Sequence, residues 1–381
     1  MPENIPSRRS FVKGAAGGAA AWSIIKPESV RGTEANSRVK VGLLGTGRRG
    51  SRISGYFVEH AGAEVTALAD IYDDQIAAAR DSIPAKEATA YKSAKAILDA
   101  DIDAIYIATP PYLHPEHFEL AVESGKHIMM EKPVASDPAG VRRVLAAAKK
   151  LKPDQMVVIV FQQRYGKDYL EAYERVKNGE IGDIRMIRTA WISSDLPRRA
   201  GHAESEEKVR NWLFYKEFSG DIIVEQNCHN IDVARWFTGA HPVAAMGYGH
   251  RAVRTDIGDI VDTLTVNYKM PDGVVYSHSG NQICPRRGYR DVGEYFFGTQ
   301  GVITTNRQGY SLHVGSDPVV RRETNYDITK DVVDHFLKGV RGEVSRGNIV
   351  AEACESTLTA IMGRVAMEKG REVTWDEVFN M

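Results

Sequence analysis

The sequence has few cysteines and no excess of charge of either sign. Its 381 residues contain only three cysteines, Cys228, Cys284 and Cys354, and these stand far apart. An odd number of widely spaced cysteines argues against a disulfide framework and a structural zinc site, and no other residues suggest a metal ion. The 49 basic residues balance 50 acidic residues. The composition therefore argues against a protein that binds nucleic acid or anionic membranes through net charge.

The sequence also lacks a hydrophobic run long enough to span a membrane, although a short one lies near its start. The basic segment SRRSFVKG precedes an Ala- and Gly-rich stretch that ends near Ile25. That stretch falls far short of the roughly 20 residues of a transmembrane helix. The pair Arg8–Arg9 and the mildly apolar run resemble a bacterial twin-arginine export signal. Ala35 is a candidate for the last residue of this signal. Since no cysteine lies directly after the apolar run, we expect no lipid anchor.

We therefore expect residues 1–37 to be a signal and linker that direct the protein to the periplasm or otherwise outside the cytoplasm. The twin-arginine route carries proteins that have already folded, often around a cofactor, so the signal predicts a cofactor site further along the chain.

The remaining length suits two domains, for which we predict bounds of 38–163 and 164–381.

The first domain opens with the pattern of a dinucleotide-binding unit. RVKVGLL at 38–44 predicts a strand, GTGRRG at 45–50 a glycine turn leading into a helix, and EVTALAD at 64–70 a second strand. The glycines permit a tight turn, close approach of a pyrophosphate, and close packing of helix on strand. The helix N-terminus offers N–H groups to phosphates. We expect a nicotinamide dinucleotide to be bound by Gly45, Thr46, Gly47, Arg48, Arg49 and Gly50.

Asp70, at the end of the second strand, bears on the choice between NAD and NADP. It stands 20 residues after Gly50, where a carboxylate accepts hydrogen bonds from ribose hydroxyl groups. A carboxylate there repels a 2′-phosphate, which favours NAD. Arg48, Arg49 and Arg52 keep NADP open, because guanidinium groups beside the turn are able to pair with an extra phosphate.

Strands and helices alternate through the rest of this domain. Strands are predicted at 103–110, 127–133 and 156–165, and helices at 93–100, 114–126 and 137–150. The alternation indicates an α/β Rossmann domain with a parallel sheet covered by helices on both faces. Ligands bind beyond the carboxyl ends of such strands. One crevice should be lined by Thr109, Pro110, Pro111, His114, Glu131, Lys132, Pro133, Gln162, Gln163 and Arg164, of which Thr109, Pro110, His114, Glu131, Lys132 and Gln162 are expected to contact the cofactor.

Lys132 lies in the turn MEKPVA, which follows one of these predicted strands. Pro133 restricts this turn, and a cationic nicotinamide ring nearby is expected to lower the pKa of the lysine towards that of a general base. GTGRRG, ATPPYLH and MEKPVA, in this order, resemble the glucose–fructose oxidoreductase, inositol dehydrogenase and MocA family. The similarity continues through SGDIIVEQNCHNIDVARWFTG and FFGTQGVI, and so covers essentially the whole mature chain.

The resemblance implies a nicotinamide-dependent oxidoreductase with a second, α+β domain. Strands predicted from residue 183 onwards, a hairpin turn at 271–273 and helices at 329–340 and 351–368 agree with an open antiparallel sheet. In the family this sheet often makes the oligomer contact, which implies a homodimer or homotetramer. Some members of the family carry twin-arginine signals and hold their cofactor tightly.

Residues 222–238 predict a helix on which Glu225, His229 and Asp232 share one face. The resemblance implies an Asp and a His four residues apart on this helix, beside the substrate. His229 matches, whereas Glu225 replaces the usual Asp. The role of Glu225 stays open: it contacts substrate, orients His229 or does neither. Asp232 is expected to support the structure.

Arg164 and Tyr165, just after a predicted strand, are further candidates for substrate contacts. The polar segment 195–219 precedes the predicted helix and is placed to overhang the crevice. Its Trp212 is a candidate substrate residue, as are Arg198, Arg199, His202 and Tyr215, although a solvated loop explains each of them equally well.

Together these patterns predict an NAD-dependent oxidoreductase that acts on a carbohydrate or polyol. A secondary hydroxyl would lose its proton to His229 or Lys132 while its carbon gives up hydride. Two alternatives stay open. The enzyme recycles a captive cofactor, either between two sugars or as a redox-neutral glycoside hydrolase or lyase; or the chain is a nucleotide-binding sensor without turnover.

Overall fold

Two β-sheets organise the part of the chain that the computed structural model describes, which is residues 38–60, 62–83 and 85–381. Residues 39–381 form one compact unit. The export signal predicted at 1–37 lies outside the described residues. Within the described residues, no helix combines the length and the apolar composition needed to cross a bilayer.

The first sheet is a six-stranded parallel sheet with the order β3-β2-β1-β4-β5-β6. Its strands are β1 (Val39–Leu44), β2 (Ala63–Ala69), β3 (Thr89–Tyr91), β4 (Ala104–Ile107), β5 (His127–Glu131) and β6 (Val157–Val160). Its helices are α1 (Arg48–Glu59), α2 (Asp73–Ser82), α3 (Ala94–Leu98), α4 (His114–Ser124) and α5 (Pro138–Ala148). This confirms the predicted Rossmann-like architecture.

Strand β4 shows why these apolar runs become central strands. Ile105 and Ile107 point into one hydrophobic cluster, whereas Ala104 and Tyr106 point into another on the opposite face. All four residues are fully buried. A strand covered by helices on both faces reads as a continuous apolar run instead of an alternating one.

The structure differs from the sequence prediction at three places in this sheet. The strand predicted at 156–165 ends at Val160, and a 3₁₀ turn over Gln162–Tyr165 follows it. Helix α1 begins at Arg48 instead of near residue 51. The sequence analysis missed α2 and β3, because most side chains of these two short elements are exposed and give little apolar periodicity.

The second sheet has nine strands in the order β14-β13-β12-β11-β7-β10-β9-β8-β15. They are β7 (Ile184–Ser194), β8 (Ala244–His250), β9 (Thr263–Lys269), β10 (Val275–Cys284), β11 (Asp291–Gly298), β12 (Gly301–Asn306), β13 (Gly309–Val314), β14 (Val320–Glu323) and β15 (Val373–Thr374). The sheet is mostly antiparallel, as predicted, but β7 and β10 pair in parallel. The long connection between them, with several helices and two strands, returns the chain to the same end of the sheet.

The helices that follow the first domain are α6 (Lys167–Lys177), α7 (Glu207–Arg210), α8 (Lys216–Ser219), α9 (Ile222–Glu225), α10 (Cys228–Thr238), α11 (Thr329–Arg341), α12 (Val350–Lys369) and α13 (Trp375–Phe379). Helix α12 packs against both α5 and β8, and so joins the two sheets. Helix α11 lies in the segment that the sequence assigns to the second domain, yet Val332 and Phe336 are buried in a core cluster of the first sheet.

The single helix predicted over 222–238 is wrong in detail. Helix α9 ends at Glu225, residues 226 and 227 interrupt the hydrogen-bond pattern, and α10 begins at Cys228. Asn227 is fully buried at this break, and its side-chain oxygen lies 3.1 Å from Nε2 of His278 on β10. The helix is therefore interrupted at the point where the Asn227 side chain contacts the second sheet.

Candidate active site

The glycine turn between β1 and α1 is shaped by the absence of side chains. Gly45 has a φ of +95°, and a Cβ added there would lie 2.7 Å from the backbone of Ala108. A Cβ added at Gly50 would lie 2.0 Å from the carbonyl oxygen of Gly45. At Gly47 the nearest atom to an added Cβ would be 3.5 Å away. The backbone is thus tightly packed at Gly45 and Gly50 and open at Gly47, as close approach of a ligand requires.

The start of α1 and the end of β2 complete a site that fits a dinucleotide. Helix α1 has Gly47 at its N-cap, and within the described part of the chain no side chain caps the N–H groups of its first turn. Such N–H groups bind phosphates. The Asp70 carboxylate accepts hydrogen bonds from the Thr46 N–H at 2.9 Å and the Tyr72 N–H at 3.1 Å. The structure therefore holds a carboxylate next to the turn, where a ribose would bind.

Arg49 connects the glycine turn to the turn that carries the lysine. Its Nε donates to Oε1 of Glu131 at 2.8 Å, and its Nη2 donates to Gln162 at 3.2 Å. The buried Glu131 also accepts a hydrogen bond from the Tyr106 hydroxyl at 2.8 Å. Three residues predicted to bind the cofactor thus contact one another directly, and their contact with a nucleotide stays a prediction.

His114, another predicted cofactor residue, braces two neighbouring turns. It is buried, and its ring nitrogens lie 2.6 Å from the carbonyl oxygen of Pro133 and 2.7 Å from that of Thr109. Pro110 follows Thr109 and precedes a short 3₁₀ turn. His114 therefore fixes the distance between the ends of β4 and β5, whatever else it contacts.

Lys132 precedes a cis peptide bond to Pro133. Its Nζ donates to the backbone carbonyl of Glu225 and, at 3.0 Å, to the carboxylate of the same residue. Burial disfavours the charged lysine, but the attraction and hydrogen bond of Glu225, together with the effects of Cys228 and Glu131, outweigh burial and raise the pKa of Lys132 above its ordinary value. The lowered pKa expected from the sequence is therefore not found in the protein alone. The structure shows that Glu225 contacts Lys132.

His229 lies beside this ion pair, on the first turn of α10. Its ring stacks on the indole of Trp191 with centroids 5.7 Å apart and meets Phe161 edge-on. Nδ1 is buried without a hydrogen-bond partner among the described residues. Burial lowers the pKa of His229 well below its ordinary value, and the charges of Lys132 and Arg307 lower it further. The imidazole is therefore neutral near pH 7.

Arg164, a predicted substrate residue, is instead bound within the protein. Its Nε and Nη2 each donate to the Asp232 carboxylate at 2.8 Å, and the Ser356 hydroxyl donates to the same group at 2.7 Å. Asp232 has no exposed surface, so the carboxylate requires this counter-charge. Asp232 thus has the structural role expected for it, and the pairing argues against Arg164 as a substrate ligand.

Tyr165 and Trp212, the other predicted substrate residues, each lie in a 3₁₀ turn. The Tyr165 ring packs against His335 of α11 with centroids 5.0 Å apart. Trp212 is partly buried in a 3₁₀ turn over Trp212–Phe214. Substrate contact stays a prediction for both residues.

Residues 195–211, which we call the strap, extend from β7 to the first sheet. Arg210 donates to both carboxylate oxygens of Asp74 on α2, at 2.8 and 2.9 Å. The same guanidinium lies 3.8 Å from the ring centroid of Tyr72. Sequence analysis placed this segment over the crevice, and the contacts show that it reaches the ribose end of the dinucleotide site.

Arg199 is the residue of the strap that faces the glycine turn. Its Nη1 donates to Gln75 at 3.0 Å, and its Nη2 lies 3.5 Å from the position of a Cβ added at Gly47. Its backbone N–H and carbonyl both bind the side chain of the buried Asn211, at 2.8 and 3.1 Å. A guanidinium from the second domain is therefore held where a pyrophosphate would approach Gly47.

Sequence reasoning missed two residues of this site, Trp191 and Arg307. Trp191 lies on β7 and carries the stacked His229 ring. Arg307 lies in the turn between β12 and β13, and its guanidinium carbon is 5.3 Å from the Trp191 ring centroid. One is an aromatic residue within a strand and the other an arginine in a hairpin turn, so neither has a local signal that separates it from an ordinary surface residue.

Comparison with known proteins agrees with this architecture. The family model described as the oxidoreductase family, NAD-binding Rossmann fold, matches residues 39–160. The family model of the GFO/IDH/MocA C-terminal domain matches residues 169–304. These two ranges contain the glycine turn, Lys132, Glu225 and His229.

Individual relatives are similar over most of the chain. A myo-inositol 2-dehydrogenase of Thermotoga maritima is 24% identical over 89% of this chain and 99% of its own length. The structure of a levoglucosan dehydrogenase with NADH and levoglucosan superposes with a TM-score of 0.74 at 19% identity, covering 88% of this chain and 99% of that one. The aldose–aldose oxidoreductase of Caulobacter crescentus with glycerol gives 0.71 at 21%, with the same coverage of both chains.

Proposed function

The chain belongs to the GFO/IDH/MocA oxidoreductase family, and from that premise we propose that it oxidises and reduces a secondary hydroxyl group of a carbohydrate or polyol with NAD. The observation that carries this proposal is that a protonated Lys132, paired with Glu225 at 3.0 Å, lies near the neutral imidazole of His229. The names of similar proteins, among them a myo-inositol 2-dehydrogenase, support the class of substrate.

The two side chains divide the proton chemistry between them. His229 is the base that accepts the hydroxyl proton, because its ring is neutral. Lys132, kept protonated by Glu225, donates a hydrogen bond to the substrate oxygen and stabilises negative charge that develops there. The glycine turn and Asp70 would hold a nicotinamide dinucleotide, which would supply the hydride acceptor for the carbinol carbon and the hydride donor for the reverse reaction. In the reverse direction His229 returns the proton.

The purified protein, incubated with a panel of polyols and aldoses, tests this proposal. Nucleotide reduction is followed by absorbance, and the ketone or lactone product by NMR. We expect at least one polyol or aldose to be oxidised at a single carbon. Bound nucleotide without any reaction across the panel would instead support a nucleotide-binding sensor.

We infer that NAD is preferred over NADP. Asp70 holds a carboxylate at the ribose end, and two nearby arginines are engaged elsewhere: Arg49 with Glu131 at 2.8 Å and Arg52 with Asp327 at 2.6 Å. Arg48 is exposed. Calorimetric titration with both nucleotides checks the preference. Asp70→Ser should reduce the difference in affinity between NAD and NADP, because it removes the repulsion of a 2′-phosphate. Tighter binding of NADP by the unmodified protein would overturn it.

We further propose that the cofactor stays bound between turnovers, which suits a redox-neutral cycle outside the cytoplasm. The strap supports this proposal, because the Arg210–Asp74 pair and Arg199 connect the second domain to the dinucleotide site. The aldose–aldose oxidoreductase among the similar structures indicates by its name that this fold serves exchange between two sugars.

The nucleotide released by denaturing the purified protein measures this retention. We expect near-equimolar NAD(H), and loss of most of it from Arg210→Met. The matched control is Arg198→Met, in the same strap, because among the described residues Arg198 pairs with Glu207 and Asp256 and not with the first sheet. A protein purified without nucleotide would indicate a dissociable cofactor. Net hydrolysis of an aryl glycoside without added NAD would favour the hydrolase alternative.

We also propose export and self-association. The pair Arg8–Arg9 would direct twin-arginine export, and cell fractionation after changing both residues to lysine tests this.

The open face of the second sheet exposes Met186, Met246 and Tyr248 and would contact a second copy of the chain. Light scattering should give a dimer or tetramer, and Tyr248→Lys should shift it towards the monomer. An unchanged mass for the variant would place the contact elsewhere.

A further inference from the structure

Arg307 projects from the β12–β13 turn towards the candidate base. Its guanidinium carbon lies 5.3 Å from the centroid of the Trp191 ring, on which His229 stacks at 5.7 Å. One indole therefore contacts both the base and the arginine. The charge of Arg307 is one of the causes that lower the pKa of His229, which agrees with their proximity.

Lys132, Arg307 and Arg49 are the cations that lower the pKa of His229, and among the described residues Arg307 differs from the other two in having no carboxylate partner. Lys132 pairs with Glu225 at 3.0 Å, and Arg49 pairs with Glu131 at 2.8 Å. Among the described residues Arg307 forms no ion pair within 4.0 Å, and its buried Nε has no hydrogen-bond partner. A partly buried guanidinium without a partner is costly, which implies a ligand from outside the chain.

Glu294 is a buried carboxyl group whose charge acts on Arg307, but it does not form an ion pair with Arg307. Burial raises the pKa of Glu294 to about 7, so it is a weak counter-charge. Its oxygens are already taken up by hydrogen bonds from Tyr169, Thr305 and Asn230.

We propose that Arg307 binds a carboxylate of the substrate, so that the preferred carbohydrate is an acidic sugar such as a uronate or aldonate. This rests on the proposed function. One unneutralised guanidinium matches one negative charge, and its planar fork fits a carboxylate with two parallel hydrogen bonds. A cofactor phosphate is the poorer candidate, because Arg199 faces Gly47 at the pyrophosphate site.

Steady-state kinetics on matched substrate pairs test this subsite. The pairs are D-glucuronate with D-glucose and D-galacturonate with D-galactose, supplied to the holoenzyme. We expect kcat/KM to favour the acid about 10-fold or more, the order of one charge-assisted contact. Arg307→Met should remove that preference mainly through KM of the acid, and leave the neutral sugar within about 3-fold of the unmodified enzyme.

Two further variants make the result unambiguous. Arg307→Lys keeps the positive charge but loses the planar guanidinium, so it should retain part of the preference for the acidic sugar. This variant also replaces Arg307→Met in the test if the methionine variant fails to fold. Arg321→Met removes an equal charge from the exposed strand β14 and should change nothing. Equal preference for acid and neutral sugar in the unmodified enzyme would overturn the subsite.

Calorimetry separates this proposal from the proposed function. Glucuronate binding that is lost in Arg307→Met, in a protein that oxidises no sugar, would support the subsite and overturn the function. If the unmodified enzyme and Arg307→Met oxidise neutral sugars at the same rate and neither binds glucuronate, the function would be supported and the subsite overturned.

Discussion

The two ends of the candidate site are built in different ways. The dinucleotide end is formed by backbone within one short stretch, where Gly45 and Gly50 pack so closely that neither position has room for a Cβ. The substrate end is formed by side chains from distant parts of the chain. Lys132 and Glu225, which are 93 residues apart, meet at 3.0 Å, and His229 stacks on a strand of the second sheet.

This difference indicates what each end tolerates. The glycine turn depends on the absence of atoms, so adding one methyl group should damage it. The substrate end depends on pairs of charges, so removing one partner should damage it while the fold around the dinucleotide persists. Substitutions at each end test this contrast.

Replacing Lys132 with Met should lower kcat by about 10²–10⁴-fold, the usual contribution of a positioned acid–base group. The cofactor should stay bound, because the glycine turn is untouched. Turnover and the fluorescence of bound NADH measure the two effects separately. Lys149→Met, at the exposed end of α5, is the control and should keep full activity. An active Lys132 variant would remove the lysine from the mechanism.

Replacing Arg164 with Met should destabilise the protein by about 3–5 kcal/mol, because Asp232 would be left buried without a counter-charge. Arg143→Met breaks an exposed pair with Glu119 and should cost only about 0–1 kcal/mol. The free energy of unfolding in urea provides the comparison. Similar values for the two variants would contradict the structural role assigned to Arg164.

Replacing Gly50 with Ala should weaken nucleotide binding by about 10-fold or more, equivalent to about 1.4 kcal/mol, because the added Cβ would meet the Gly45 carbonyl at 2.0 Å. Gly55→Ala lies on the same helix, where an added Cβ has no neighbour closer than 4.0 Å. It should leave binding unchanged and stabilise the helix by up to about 1 kcal/mol. Equilibrium titration with NADH distinguishes the two; unaffected binding in Gly50→Ala would contradict the packing argument.

The pH dependence of kcat/KM should show the smallest effect. Because the pKa of His229 is lowered in the folded protein, the active neutral form persists below pH 6.5 and is lost only as the pH falls through the lowered pKa. Removing the charge in Arg307→Met should move this acid limb upward by less than about one pH unit, since burial is the main cause of the shift. The profile is measured with a neutral sugar; an acid limb above pH 7 in the unmodified enzyme would exclude His229 as the base.

Much of the fold was predictable because its signals are local. The alternation of strands and helices identified the parallel sheet, and the helix predicted over 114–126 is α4, whose C-cap Gly125 has a left-handed φ of +74°. The parallel pairing of β7 with β10 was not predictable, since register and direction depend on contacts between segments far apart in the sequence.

The glycine turn, its carboxylate Asp70 and the turn that carries Lys132 were predictable, because each depends on the conformation of a few consecutive residues. The pairing of the charges depends instead on the packing of the whole chain. That packing binds Arg164 to Asp232, joins Glu225 to Lys132 and leaves Arg307 unpaired beside Trp191. The reason is physical: the charge of a side chain is a property of its residue, whereas its partner and its burial are properties of the packed chain.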